Sequence, residues 1–177
     1  MIIFIAGMTR SGKSEYAEQR AFALGRNMQK VYIATAEIRD SEMMRRVELH
    51  KARRAEMGFM TIERSHDLGN IDLPECACVL LESLSVWLAN EMFTCSGVNH
   101  NSGEKVYEDF LALSSRAGHI VVVSDDIFSD GRKYDELTEE YLRMLGGLHV
   151  KIAALADEVI ECISGIPVQY SIISKNL

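Results

Sequence analysis

Short apolar runs alternate with longer amphipathic stretches along the chain, and this pattern predicts alternating strands and helices. Strands are predicted at residues 2–6, 31–35, 60–62, 77–82, 120–124, 159–163 and 168–173. Helices are predicted at residues 13–24, 41–57, 83–93, 104–117 and 134–156, while residues 94–103 lack periodicity and are interpreted as a loop. Such alternation is typical of βα units on a mostly parallel sheet, so we expect an α/β fold. Gly165-Ile166-Pro167 separates the last two strands and predicts an antiparallel hairpin at one end of the sheet.

The composition narrows the class of protein. The chain has 177 residues, 47% hydrophobic and 25% charged, which predicts one domain spanning residues 1–177. Its net charge of −7 argues against a protein that coats nucleic acid or an anionic membrane, so any anion site must be local. No apolar run approaches the roughly 20 residues that span a bilayer. The first apolar run, residues 2–6, is too short for a signal peptide, and we expect a cytoplasmic protein.

The cysteines do not have the spacing of a structural zinc site. They are Cys76, Cys78, Cys95 and Cys162. Cys76 and Cys78 are expected on one face of a strand, but no second pair of ligands lies nearby in the sequence. We therefore interpret all four as reduced, small, buried hydrophobic residues and predict no metal site there.

A glycine-containing motif follows the first strand and precedes the first helix. It fits G-x-x-x-x-G-K-[ST] and consists of Gly7, Met8, Thr9, Arg10, Ser11, Gly12, Lys13 and Ser14. Its backbone N–H groups and the helix N-terminus are expected to hold nucleotide phosphates, with Lys13 as their counterion. Ser14 is the candidate Mg²⁺ ligand, and Glu82, at the end of another predicted strand, is its candidate partner. The alternatives are an ordinary βα turn and a solvated acid at a strand end.

A basic helix stands out in this acidic chain. It carries Arg45, Arg46, Lys51, Arg53 and Arg54 against the single acid Glu48. Helical spacing places Arg46, His50 and Arg54 on one face. Like charges at this spacing destabilise a helix unless an anion offsets them, so we predict a polyphosphate site with His50 as candidate nucleophile or base. The alternative is a solvated basic helix with an incidental histidine.

Five segments together carry a family resemblance. They read G-M-T-R-S-G-K-S, Y-I-A-T-A, R-R-V-E-L-H-K-A-R-R, V-L-L-E-S-L-S-V-W-L-A-N, and I-A-A-L-A-D-E-V with S-G-I-P. Their order and spacing resemble the bifunctional adenosylcobinamide kinase / adenosylcobinamide-phosphate guanylyltransferase family along nearly the whole chain. The most specific element is Arg46-Val47-Glu48-Leu49-His50 followed by Arg54. In that family the matching histidine becomes covalently guanylylated.

The resemblance implies a three-layer, RecA-like P-loop NTPase fold and two reactions in cobalamin biosynthesis. In the first, ATP or GTP phosphorylates adenosylcobinamide with Lys13, Ser14 and Mg²⁺ balancing charge. In the second, His50 attacks the α-phosphorus of GTP, expels pyrophosphate and passes GMP to the phosphorylated cobinamide, giving adenosylcobinamide-GDP. The nucleotide-binding residues implied besides the loop are Arg46, Arg53, Arg54 and Glu82. The resemblance also implies a homo-oligomer, commonly a trimer.

The sequence departs from the family pattern at several positions. Asp125-Asp126 stands where an Asn-Glu pair is usual, and His149-Val150 stands where an Asn-Gln pair is usual. The proline and tryptophan expected after the basic motif are replaced around Ala55 and Gly58. Two alternatives therefore stay open. One is a different small-molecule P-loop kinase in which His50 and its arginines form a lid, and the other is a regulatory nucleotide-binding paralogue.

Overall fold

A computed structural model of the chain describes residues 1–36, 41–128 and 131–170. The strands are β1 (Ile2–Gly7), β2 (Lys30–Ala34), β3 (Phe59–Glu63), β4 (Cys78–Glu82), β5 (Phe93–Thr94), β6 (Gly97–Val98), β7 (His119–Asp125), β8 (Glu158–Ile163) and β9 (Ile166–Tyr170). The helices are α1 (Lys13–Leu24), α2 (Ser41–Glu56), α3 (Leu84–Met92), α4 (Ser102–Arg116) and α5 (Glu136–Leu155), with a 3-10 turn at Leu68–Asn70. These bounds lie within about two residues of most of those predicted from periodicity.

The central sheet has the order β3-β2-β4-β7-β1-β8-β9, and every neighbouring pair is parallel except β8 and β9. β7 lies between β4 and β1, so three strand ends that carry functional residues meet at one edge. The register pairs Gly7 with Asp125 and Glu82 with Val123. Ligand sites of open α/β sheets lie at such carboxyl ends.

Side chains alternate between the two faces of the sheet and build one core on each. Phe4, Val79 and Val122 face a core completed by α3, α4 and α5. Ile3 and Leu80 face the opposite core, which α1 covers with Ala17 and Ala21 among other residues. The central strands are apolar throughout because both of their faces are buried, as parallel sheets require. The three-layer arrangement with a mostly parallel sheet confirms the predicted fold class.

The C-terminal hairpin is present, but its turn is not where we predicted it. Ser164 and Gly165 form the connection, both with positive φ, 49° and 86°. Two consecutive residues of positive φ are typical of the tight turns that match strand twist. Ile166 and Pro167 therefore belong to β9, and Pro167 is tolerated because β9 is an edge strand. Residues 171–173 of the predicted strand lie outside the described part of the chain.

Two other predictions need correction. Residues 94–103 are not all loop: β5 and β6 form a short antiparallel pair, and α4 already begins at Ser102. Cys76 and Cys78 do not share a strand face, since Cys76 has a φ of 54° in a turn and only Cys78 enters β4. All four cysteines are free, but only Cys78 and Cys162 are buried. The cause is the tight turn before β4, which apolar patterning does not reveal.

Among the described residues, no helix has the length and apolar character needed to cross a membrane.

Helix α4 offers a matched test of the larger core. Phe110 is fully buried, whereas its neighbour Leu111 is 39% exposed. We expect Phe110→Ala to lower the free energy of unfolding by about 3–5 kcal/mol, because it removes a buried ring and leaves a cavity. Leu111→Ala is expected to change it by less than about 0.5 kcal/mol. Urea denaturation of both variants measures the difference, and equal losses would contradict this account of the core.

Candidate active site

One cleft of about 970 Å³ opens at the carboxyl edge of the sheet. It brings together the loop between β1 and α1, the end of α2 and the ends of β4 and β7. Its lining includes residues 9–14, His50, Arg53, Arg54, Glu82 and Asp125. The two sequence motifs, separated by more than thirty positions, therefore face the same space.

The phosphate loop is shaped by its glycines. A Cβ on Gly7 would lie 2.7 Å from the backbone oxygen of Cys162 in the adjacent strand, so only glycine fits there. Gly12 precedes α1 with a φ of 85° and offers no side chain to cap the first N–H groups of the helix. The N–H of Ser11 bonds to the carbonyl of Met8 at 3.1 Å and closes the loop. The uncapped N–H groups are suited to hold an anion.

Lys13 is buried and held by oxygen atoms. Its Nζ lies 2.7 Å from Oδ1 of Asp125 and donates to the carbonyl oxygen of Met8 at 3.2 Å. Asp125 is fixed in turn, because Ser85 donates a hydrogen bond of 2.6 Å to its Oδ2. A carboxylate of the protein is thus the partner of the loop lysine. The sequence marked Asp125 only as a departure, although it follows a buried strand as Glu82 does.

Glu82 is not a solvated acid. The hydroxyl of Ser14 donates to its Oε1, and the hydroxyl of Tyr32 donates to Oε2 at 3.2 Å. Burial and, secondly, the Glu82 carboxylate raise the pKa of Tyr32 well above its usual range, so the phenol stays a donor. A hydroxyl and a carboxylate beside the loop lysine fit a Mg²⁺ ion, which prefers oxygen ligands. Sequence analysis missed Tyr32, which lies within a strand and carries no motif.

The end of α2 is fixed by an acid that the sequence analysis also missed. Glu18 of α1 has a side chain only 1% exposed and binds both Arg53 and Arg54, the latter at 3.2 Å. The guanidinium of Arg54 also stacks on the ring of Tyr32, 3.6 Å from its centroid. His50 lies beside them with Nδ1 3.6 Å from Oε1 of Glu18. The anion that offsets these arginines in the structure is therefore a carboxylate of the protein.

One predicted site residue cannot be located. The side chain of Arg46 lies outside the described part of the chain.

His149, one of the departures, is a core residue. Its ring packs edge-on against Phe4 and Phe128, and a hydrogen bond of 2.7 Å joins Nε2 to Oγ of Ser124. Burial lowers the pKa of His149 to about 4, despite the opposing influence of Asp126 and Asp125. The imidazole is thus neutral at physiological pH and supports the strand that carries Asp125.

Solved structures share the fold. The chain matches the ATPase domain of another protein with a TM-score of 0.52 and 14% identity, over 90% of this chain and 68% of that chain. It matches a DnaB-like replicative helicase with a TM-score of 0.50 and 11% identity, over 90% of this chain and 47% of that one. At these identities the likeness establishes the RecA-like P-loop NTPase fold alone.

Sequence relatives are more specific. The family described as cobinamide kinase / cobinamide phosphate guanyltransferase matches residues 3–170. The bifunctional adenosylcobalamin biosynthesis protein CobP of Pseudomonas aeruginosa is 34% identical, over 92% of this chain and 93% of its own. The protein CobU of the same description from Salmonella typhimurium is 29% identical, over 96% and 99%.

These matches confirm the family predicted from the motifs and the prediction of an enzyme with kinase and guanylyltransferase chemistry. With nearly its whole length matched and the phosphate loop and His50 in one cleft, the chain belongs to the cobinamide kinase / cobinamide phosphate guanyltransferase family.

Proposed function

We propose that this protein phosphorylates adenosylcobinamide with a nucleoside triphosphate and then transfers GMP from GTP to the product through a covalent intermediate on His50. The observation that carries the proposal is the single cleft that holds both the phosphate loop and His50. A nucleotide whose β- and γ-phosphates lie on the loop is then within the same enclosure as the candidate nucleophile.

The kinase step uses the loop end of the cleft. The N–H groups at the start of α1 and the ammonium of Lys13 hold the β- and γ-phosphates, and Lys13 exchanges Asp125 for phosphate oxygen. Ser14 and Glu82 would hold Mg²⁺, which when bound neutralises charge on the transferred phosphoryl group. Tyr32 keeps the Glu82 carboxylate in place by its hydrogen bond. The hydroxyl of adenosylcobinamide accepts the phosphoryl group.

The guanylyl step uses the end formed by α2. Nitrogen of His50 attacks the α-phosphorus of GTP, the bond to the β-phosphate breaks, and pyrophosphate leaves with the bonding electrons. The phosphorylated cobinamide then takes the GMP from the histidine. Arg53 and Arg54, next to His50, supply positive charge toward the phosphates. Division into two displacements avoids bringing three reactants together at once.

Replacement of the loop lysine tests the kinase assignment. We expect Lys13→Ala to reduce kcat/KM for phosphorylation of adenosylcobinamide by roughly 100-fold to 1000-fold, because the phosphates lose their main side-chain counterion. Lys151→Ala is the control, since Lys151 pairs with Glu104 on the surface. Steady-state assays of both variants decide the matter, and wild-type turnover by Lys13→Ala would reject the loop as the phosphate site.

The acid at the end of β4 is tested through the metal dependence. We expect Glu82→Gln to raise the Mg²⁺ concentration for half-maximal kinase activity by about tenfold, because an orienting carboxylate is lost from the metal site. Glu104→Gln, an exposed acid on α4, serves as the control. A Mg²⁺ titration that is unchanged in Glu82→Gln would assign this acid a purely structural role.

The nucleophile is tested by labelling. Incubation of the wild-type protein with GTP labelled in the guanosine and α-phosphate is expected to give a covalent adduct that survives alkali and is released by acid, as a phosphoramidate is. His50→Ala is expected to lose the adduct and guanylyl transfer but to keep kinase activity, because Lys13, Ser14 and Glu82 remain. His66→Ala, a half-exposed histidine on the loop before the 3-10 turn, is the control. Mass spectrometry that locates the adduct on another residue would overturn the assignment.

A further inference from the structure

Glu18 is a carboxylate almost wholly removed from solvent, with a side chain 1% exposed. It belongs to α1, five positions after Lys13, and its neighbours Ala17 and Ala21 are fully buried. An ionised carboxylate in such a place requires partners that offset its charge. The partners given by the structure all come from the last turns of α2.

Those partners divide the two oxygen atoms of Glu18 between them. Arg53 binds Oε2, and Arg54 donates to Oε1 at 3.2 Å. Nδ1 of His50 lies 3.6 Å from the same Oε1. Because Arg54 is also stacked on Tyr32, the position of Oε1 is fixed from two sides. The imidazole therefore faces a charged acceptor that cannot turn away.

The nearest ring nitrogen to this acceptor has a chemical consequence. A neutral imidazole carries its proton on one nitrogen, and the hydrogen bond of that nitrogen selects the tautomer. A carboxylate facing Nδ1 favours the proton at Nδ1 and leaves Nε2 with a free electron pair. Catalytic hydrogen bonds are commonly longer in ligand-free proteins and shorten when the substrate binds, and 3.6 Å is close enough for this.

We propose that Glu18 is the positioning residue of the guanylyl transfer: it holds the proton of His50 at Nδ1, so that Nε2 is the atom that attacks the α-phosphorus. The inference rests on the proposed function, in which His50 is the nucleophile. Glu18 itself acts through His50 and contacts no substrate.

Electrons and protons balance in both displacements. The electron pair of Nε2 forms the bond to the α-phosphorus, the bond from that phosphorus to the bridging oxygen breaks, and pyrophosphate leaves with its electrons. The imidazole ring becomes positively charged while Nδ1 keeps its proton. The buried carboxylate of Glu18 stabilises that charge, as an acid does behind a catalytic histidine in other enzymes. When GMP moves to the phosphate oxygen of cobinamide phosphate, the electrons return to Nε2 and the ring is neutral again.

The isosteric variant Glu18→Gln separates charge from position. Its amide oxygen still accepts a hydrogen bond from Nδ1, but it no longer stabilises the positive ring. We expect the rate of GTP-dependent labelling to fall about 10-fold to 100-fold, the usual effect of losing a partner that orients a functional histidine. Kinase turnover, which does not use His50, is expected to stay at the wild-type level and reports that the fold is intact.

Glu15→Gln is the matched control. Glu15 lies on the same helix and its carboxylate is 3.7 Å from Arg53, but its side chain is 64% exposed. If Glu18 acted only by neutralising the arginines, the two substitutions would have similar effects on labelling. We expect Glu15→Gln to label at the wild-type rate, and equal losses in both variants would overturn the proposal.

The tautomer is measured without any reaction. Nitrogen-15 spectra of protein labelled at histidine report which ring nitrogen carries the proton, and the His50 signals are assigned by their absence in His50→Gln. We expect neutral His50 to be protonated at Nδ1 in the wild type and in Glu18→Gln, and to shift toward protonation at Nε2 in Glu18→Ala. Protonation at Nε2 in the wild type would overturn the proposal. A wild-type protein with the expected tautomer but no label on His50 would instead reject the proposed function and leave the contact with Glu18 standing.

Discussion

The parallel pairing of β4, β7 and β1 determines where the chemistry of this protein lies. Since the strands run in one direction, Glu82, Asp125 and Gly7 all reach the same edge of the sheet. The register carries Asp125 two residues beyond the level of Glu82, and this places it against Lys13 rather than against Ser14. Reversal of any one strand would move its functional terminus to the opposite edge and dismantle the site.

Charge pairing is the second principle of the site. Lys13 is paired with Asp125, and the arginines at the end of α2 are paired with Glu18. These carboxylates keep long cationic side chains in place when no nucleotide is bound, at the cost of competing with phosphate for them. A triphosphate brings more charge than a carboxylate and several oxygen atoms, so it is the stronger partner. The site therefore combines order before binding with attraction during it.

Much of this arrangement can be predicted from the sequence, and the remainder depends on tertiary structure. The spacing of the phosphate motif and the strand before Glu82 are local signals, and the structure brings Lys13, Ser14 and Glu82 together as they suggest. The contact of Lys13 with Asp125 joins residues far apart in the chain and requires the order of strands in the sheet. Glu18 resembles any acid on a helix until the packing of α2 is known. The oligomeric state and the role of Arg46 stay predictions.

Tyr32 has a consequence for how the enzyme can evolve. Its ring supports Arg54 beside the histidine, and its hydroxyl holds Glu82 beside the loop. One side chain therefore serves both ends of the cleft through different atoms. A descendant that abandoned either reaction would still be under selection to retain this tyrosine for the other, although phenylalanine would suffice where only the support of Arg54 matters. The residue at this position thus records which of the two chemistries a lineage still needs.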